Sequence, residues 1–222
     1  MDYTKTCTCA LVAASDFNDT EFRRRAIDAQ TYDFIIAVDG GFTHVSALGV
    51  TADVVLGDFD SLGFVPEHEH LEVHPVAKDA SDLALALRRA GEHGATHVDV
   101  YGALGQRPDH TFATYQALYS AARHGLAVRA FGVDSGVVVL TSEGTSAITL
   151  PAIADETFSV FALTNECHGV TIQNFRYELI DGDLTNDTPL GLSNVTLGVS
   201  GTIAVKDGAL LVFLPQVLMA EL

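Results

Sequence analysis

Positive charge is scarce in this sequence. Across 222 residues, 12 Lys and Arg stand against 29 Asp and Glu, for a formal net charge of −17. A chain so poor in cations releases few counterions from a phosphate backbone, which argues against non-specific nucleic-acid binding. An anionic membrane surface is disfavoured for the same reason. Long apolar runs are lacking too, none approaching the ~20 residues that a bilayer crossing requires. The N-terminal stretch carries an acid, Asp2, and only a short apolar segment, so it does not read as a secretory signal and a cytoplasmic location is expected. Cysteine is rare: Cys7, Cys9 and Cys167 are an odd number with no C-x-x-C spacing. They read as small buried hydrophobes in a reducing compartment, not as a disulfide framework or zinc site. Tryptophan is absent.

What is present describes a folded, acidic, metal-using protein. A hydrophobic content of 48% and a mean hydropathy of +0.24 exclude a disordered chain. The first 132 residues alternate between two periods. TCTCALVAA, DFIIAV, ADVVLG, HVDVYG and LAVRAFG read as strands buried on both faces, the pattern of a parallel sheet. Helical stretches lie between them, over 19–30, from an N-cap at Ser81 to a stop at Gly94, and over 109–124, ended by Gly125. Arg23-Arg24-Arg25 reads as a solvated helix face. Such alternation predicts a doubly wound, mainly parallel α/β domain over 1–132.

Beyond residue 132 the pattern changes. GVVVLTSEG, SAITLP, TFSVFALT, GVTIQN, FRYELI, LSNVTLGVSG, TIAVKDG and ALLVFLP are short strands punctuated by Gly, Asn, Asp and Pro, with no good helical period. They predict a small β-sandwich over 133–222.

Four acidic motifs mark where chemistry belongs. Asp39-Gly40-Gly41, Gly57-Asp58-Phe59-Asp60-Ser61 and the segment from Gly102 through Arg107 to Asp109-His110 follow predicted strands, while Lys78-Asp79-Ala80-Ser81-Asp82 opens a helix. In an open parallel sheet ligands bind beyond the carboxyl ends of the strands, so the four motifs are expected to converge there. Asp39, Asp58, Asp60, Asp82 and Asp109 gathered in one cleft would repel one another strongly unless a cation compensates them. Asp58 and Asp60, at i and i+2, would point the same way from an extended chain and form a pair of hard oxygen ligands for Mg²⁺. Lys78 and Arg107 are placed to contact phosphate, and Gly40, Gly41 and Gly105 allow backbone N–H groups to approach it. His68, His70 and His74 lie on a Pro-flanked stretch that reads as a solvated loop.

In this order the four motifs resemble those of the thiamine pyrophosphokinase family, which carries D-G-G, G-D-x-D-S, K-D-x-T-D and a G-x-x-G-x-R-x-D-H segment on an α/β domain followed by a β-sandwich. Phe175-Arg-Tyr-Glu-Leu179 and Leu192-Ser193-Asn194 resemble two further segments of its second domain. The resemblance implies pyrophosphoryl transfer from ATP to thiamine, giving thiamine diphosphate and AMP, in a homodimer with composite sites. It implies Mg²⁺ on Asp58, Asp60 and Asp82, and a nucleotide and catalytic site lined by Asp39, Lys78, Arg107, Asp109 and His110. Asp82 and Asp109 are both candidates for the base that takes the alcohol proton, and Ser193 and Asn194 would approach thiamine. Many family members stack an indole near thiamine; here Phe158, Phe161, Phe175 and Tyr177 are the aromatic candidates for that place. A pyrophosphokinase for another heteroaromatic alcohol, such as a hydroxymethylpterin, and a non-catalytic nucleotide sensor are the alternatives left open.

Overall fold

Continuous apolar runs build the first sheet. In a computed structural model, which describes residues 6–60, 62–75 and 79–222, the strands β1 (Thr8–Val12), β2 (Phe34–Val38), β3 (Val54–Gly57), β4 (Leu71–Val73) and β5 (His97–Tyr101) all pair in parallel, in the order β5-β1-β2-β3-β4. Central β1 is covered on both faces, with Cys9, Ala10, Leu11 and Val12 at 0% exposure, which is why it lacks polar alternation. The chain steps outward from β1 to β4, then α3 (Asp82–Glu92) carries it back to β5 on the other flank of β1. The strand order therefore reverses between β1 and β5, the position where such sheets open a crevice.

Helix ends follow the sequence signals. Ser81 Oγ accepts from Ala84 N–H at 3.3 Å, and Gly94 (φ +89°) supplies the left-handed residue that closes α3. α4 (Pro108–Arg123) stops before Gly125, and β6 (Ala127–Phe131) follows.

Several expectations need correcting. Residues 41–47, where no helix is predicted, form α2 (Gly41–Ala47). The stretch read as a solvated loop contains β4, a three-residue edge strand whose Glu72 holds Arg89 at 2.7 Å; it is too short for periodicity to reveal. Among the described residues His68, His70 and His74 join no metal-binding group. The helix expected over 19–30 is α1 (Asp19–Arg23) running into a π-helical turn at Arg24–Asp28.

That turn rotates Arg25 inward, so of the triple-arginine run only Arg23 and Arg24 are solvated. Arg25 is 6% exposed. Its Nε donates to Glu21 Oε1 at 2.6 Å, its Nη1 lies 3.7 Å from Asp99 Oδ2, and its guanidinium stands 5.1 Å from the Phe131 ring centre. Tyr32 Oη completes the network, at 2.9 Å from Asp99 Oδ2 and 2.6 Å from Tyr101 Oη. Fully buried Tyr101 packs on Phe17, Phe22 and Phe131.

The chain divides into two compact units, residues up to Ala121 with Ala130–Val133, and Ala122–Arg129 with Asp134–Leu222. The second contains β7 (Ser135–Thr141), β8 (Ala147–Leu150), β9 (Ala154–Ala162), β10 (Glu166–Gln173), β11 (Leu179–Thr185), β12 (Asn194–Leu197), β13 (Gly201–Ala204) and β14 (Ala209–Pro215). They form a sandwich of two antiparallel arrays, β12-β9-β14-β7 and β11-β10-β13-β8. Phe158 and Val160 of β9, Ile172 of β10, Ile203 of β13 and Leu210 of β14 are buried, as period-2 strands around one core require. The strand expected at 175–180 starts later, at Leu179, because Asn174 turns the chain with φ +67°. A four-residue helix, α5 (Gln216–Met219), ends a half in which no helix is predicted. Cys9 and Cys167 are buried, and all three cysteines are free thiols; burial pushes the Cys9 thiol pKa far up. Among the described residues no helix is long and apolar enough to cross a membrane.

Candidate active site

The carboxyl ends of the first unit's strands are tied together by backbone contacts. At Gly41, the first residue of α2, a Cβ would fall 1.8 Å from Val12 O, so only glycine lets α2 press against the end of β1. Gly102 (φ +67°) meets the loop after β1 in the same way: its carbonyl accepts from Ser15 N–H at 2.8 Å, and a Cβ there would lie 2.4 Å from Ala13 O. Asp39 N–H donates to Leu56 O at 2.8 Å, fixing the end of β2 to β3.

On this crest the carboxylates of Asp39, Asp58 and Asp60 converge, with one oxygen from each within 4.8 Å of the others. Asp39 holds a left-handed backbone, φ +49°, a conformation uncommon outside glycine and typical of functional loops. Asp58 and Asp60 meet differently from the sequence expectation. The chain between them is not extended: Phe59 has φ +59° and is 2% exposed. Its buried ring anchors a turn in which Asp60 N–H donates to Asp58 Oδ1 at 3.3 Å. Three hard anionic oxygens suit Mg²⁺ better than softer metals.

The other motif residues are distributed around this cluster. Asp82, on the first turn of α3, has a buried Oδ1 and stands outside the group of three. Gly40 is buried at the start of α2. Arg107 and Asp109 bind each other, Nη2 to Oδ2 at 2.6 Å and Nε to Oδ1 at 3.3 Å, and both are well exposed. The Arg107 guanidinium holds the Asp109 carboxyl below its usual range, and its own pKa rises through the same bond. A carboxylate held this way is a weaker proton acceptor, so Asp109 is the poorer of the two base candidates in this conformation. His110 is exposed on the same turn of α4. Lys78 and Ser61 lie outside the described residues.

Sequence reasoning passes over Ser15 and Asp16. They follow β1 at the switch point, and Asp16 Oδ2 accepts from Gln106 Nε2 at 3.2 Å. The signal available is two polar residues shortly after the buried strand β1, past Ala13 and Ala14.

In the second unit, Ser193 is exposed with φ +61° and donates its N–H to Ser159 Oγ at 3.1 Å. Asn194 is 5% exposed. Its Oδ1 accepts from Tyr177 N–H (3.1 Å) and Val195 N–H (2.8 Å), while Nδ2 donates to Tyr177 O (2.7 Å). Its amide is thus committed to clamping the backbone of Tyr177. Asn194 and Tyr177 line a cavity of about 150 Å³ with Leu184, Leu190 and Leu192. Of the four aromatic candidates, Phe158 and Phe175 are 2% exposed and pack edge-on, and Phe161 packs on Phe213, whereas Tyr177 is 65% exposed.

Comparison with known proteins agrees with this arrangement. Residues 28–130 match the model of the thiamin pyrophosphokinase catalytic domain, and residues 145–210 match that of the thiamin pyrophosphokinase vitamin B1 binding domain. A thiamine pyrophosphokinase of Bacillus subtilis is 27% identical over 188 residues, 79% of this chain and 84% of that protein. The crystal structure of thiamine pyrophosphokinase from Bacillus subtilis superposes with a TM-score of 0.76 at 22% identity, covering 94% of this chain and 98% of that one. Yeast thiamin pyrophosphokinase gives a TM-score of 0.72 at 10% identity, covering 98% and 89%; at these identities the likeness is one of fold. With both domain models matched in order across well over half of its length, the chain belongs to the thiamine pyrophosphokinase family.

Proposed function

We propose that this protein transfers the pyrophosphoryl group of ATP to the hydroxyethyl oxygen of thiamine. The observation that carries the reading is the convergence of Asp39, Asp58 and Asp60 on the crest beside the switch point. The thiamine oxygen attacks the β-phosphorus, the bond from that phosphorus to the bridging α–β oxygen breaks, and AMP leaves. The alcohol proton passes to a carboxylate, for which Asp82 and Asp109 are both candidates, Asp109 once Arg107 has turned to phosphate.

Such transfer asks little covalent work of the protein and much positioning. Asp58 and Asp60 would hold Mg²⁺ together with Asp39, and Asp82 on the first turn of α3 would support the same cation. Bound Mg²⁺ would neutralise charge on the phosphate oxygens during transfer. Gly40 and Gly41 bring backbone N–H groups toward phosphate, and Lys78 and Arg107 supply the cations, Arg107 by exchanging Asp109 for phosphate oxygen. His110 borders the nucleotide. In the second unit Ser193 approaches thiamine, Asn194 acts by holding Tyr177, and the Tyr177 ring faces the cationic thiazolium in place of the absent indole. The strongly acidic surface draws in a cationic acceptor.

Assay of ATP with thiamine and Mg²⁺ should release AMP and not ADP. AMP released with a hydroxymethylpterin and none with thiamine would overturn the acceptor. Tyr177→Ala should raise the KM for thiamine about fivefold, the scale of one aromatic contact; an unchanged KM moves the stacking residue elsewhere. We also propose a homodimer that builds each site from two chains. The pure protein should sediment as a dimer at micromolar concentration, and a fully active monomer would contradict it.

A further inference from the structure

One imidazole nitrogen at the edge of the first sheet, Nε2 of His74, is closed off from water and has no hydrogen-bond partner. Buried polar atoms are rarely left in this state, and each exception calls for a reason. His74 follows β4 directly, and its backbone N–H continues the ladder by donating to Gly57 O at 2.9 Å. The register that pairs Val73 with Gly57 carries His74 alongside Asp58, at the carboxyl end of the sheet. The residue stands on the crest beside the carboxylate cluster, yet it is not a member of the group of three.

Alternation along the strand and the turn of the helix give the ring a direction. Glu72 and His74 are two residues apart and share one face of the extended chain. That face is the one α3 covers, because Arg89 Nε donates to Glu72 Oε1 at 2.7 Å. Asp82 and Arg89, both on α3, are seven residues apart, two turns of helix, so Asp82 lies on the same side of α3 as Arg89. α3 begins at the crest and runs back against the direction of β4. From the Glu72–Arg89 contact the strand climbs ~7 Å to His74, and the helix climbs ~10 Å to Asp82. Imidazole and carboxylate are thereby brought to nearly one level, and Asp82 Oδ1 is buried there.

We propose that His74 is a positioning residue for Asp82, its Nε2–H donating to the Asp82 carboxylate when a divalent cation is held on the crest. Neutral imidazole carries one N–H, and a carboxylate offers only acceptors. The bond ties one oxygen of Asp82 and leaves the other for the cation, as hydrogen bonds to metal-binding carboxylates do. His74 itself touches neither cation nor substrate. This rests on the reading of Asp82 as a support for the cation, and it adds the residue that aims it.

The test uses Mn²⁺ alone, a hard cation that takes the same oxygen ligands as Mg²⁺, with free ion read by electron spin resonance on the whole chain. His74→Phe should weaken binding about tenfold or more, the scale on which loss of a partner behind a metal ligand acts. His74→Gln, whose amide N–H falls near the place of Nε2, should recover most of that loss. His74→Asn puts its amide near Nδ1 and should bind as poorly as His74→Phe. In an Asp82→Ala background His74→Phe should cost little more, since the two residues act through one bond. The melting temperature of His74→Phe should hold or rise, because an unsatisfied buried polar atom is replaced by an apolar ring.

Unchanged Mn²⁺ affinity in His74→Phe, an equal loss in His74→Gln, or a full further loss on top of Asp82→Ala each overturns the pairing. Unchanged affinity in Asp82→Ala removes that residue from the cation and the pairing with it. If His74→Phe does not fold, the contrast between His74→Gln and His74→Asn decides. Thiamine diphosphate formation is followed separately. If product forms but the affinities do not move, the pairing falls and the transfer reading stands. If the affinities move as stated but no product forms, the transfer reading falls and the pairing stands.

Discussion

Asp60→Asn should reduce thiamine diphosphate formation by about 10²–10³-fold, the scale on which removal of one preorganised electrostatic group slows an enzyme. Asp60 stands on the turn anchored by Phe59, exposed and within the three-carboxylate cluster. Asparagine keeps the shape and removes one anionic oxygen from the set that suits a hard divalent cation. Fold stability should hold or rise, because one of three neighbouring like charges is gone. Raising Mg²⁺ should recover part of the lost rate if the defect is weakened cation binding. Product chromatography across a Mg²⁺ titration, with a melting curve for each protein, separates the two effects. Unchanged turnover and unchanged Mg-ATP affinity would remove Asp60 from the site.

The largest effect on stability is expected at Arg25. Arg25→Ala leaves Glu21 (7% exposed) and Asp99 (3% exposed) without the guanidinium that both face, and breaking a buried ion pair from one side costs about 3–5 kcal/mol. Arg25→Lys should recover only part of this, since an ammonium cannot reproduce the forked geometry or the face-on contact with Phe131. The pH dependence follows from Glu21. Burial is the largest single influence and raises its pKa, but hydrogen bonds from Arg24 and Arg25 and their charges together outweigh it and hold the carboxyl low. A carboxyl with a lowered folded pKa contributes stability above its unfolded pKa, and that contribution is lost as pH falls through the folded value. Without Arg25 burial is less opposed, so the Glu21 pKa rises, and the gap between variant and wild type should narrow in acid. Urea titrations at pH 7 and at about pH 4, below the ordinary Glu value of 4.5, measure both quantities. A loss under about 1 kcal/mol at neutral pH would reduce the network to the worth of a surface pair.

Much of the fold is legible because it rests on local chemistry. β1, β2 and β3 announce themselves as apolar runs, β5 and β6 as short β-branched and aromatic runs around one charged residue each, and α3 begins and ends where Ser81 and Gly94 require. The convergence of the aspartates follows from one topological rule applied to motifs placed after strands. What stays hidden is set by distant partners. The inward turn of Arg25 depends on Asp99 and Phe131, far along the chain. β4 is three residues long and exists because β3 offers it an edge. Asp58 and Asp60 meet through a turn that depends on burial of the Phe59 ring, which no spacing rule contains. Asn194 looks like a ligand-binding amide in sequence, yet its hydrogen bonds go to Tyr177, 17 residues earlier.

The lack of tryptophan has an optical consequence. Indole ordinarily dominates protein emission and drains excitation from tyrosine; with no Trp and only six Tyr, this chain emits as a tyrosine protein. Tyr32 and Tyr101 are bonded to each other beside Asp99, an arrangement that favours quenching and leaves the signal to the remaining rings. Tyr115 lines a cavity at the start of α4, and Tyr177 stands exposed over the cavity of the second unit. A thiazolium stacking on Tyr177 would dim that ring and leave Tyr115 unaffected, so comparing the wild type with Tyr177→Phe turns the unlabelled protein into a reporter of its acceptor.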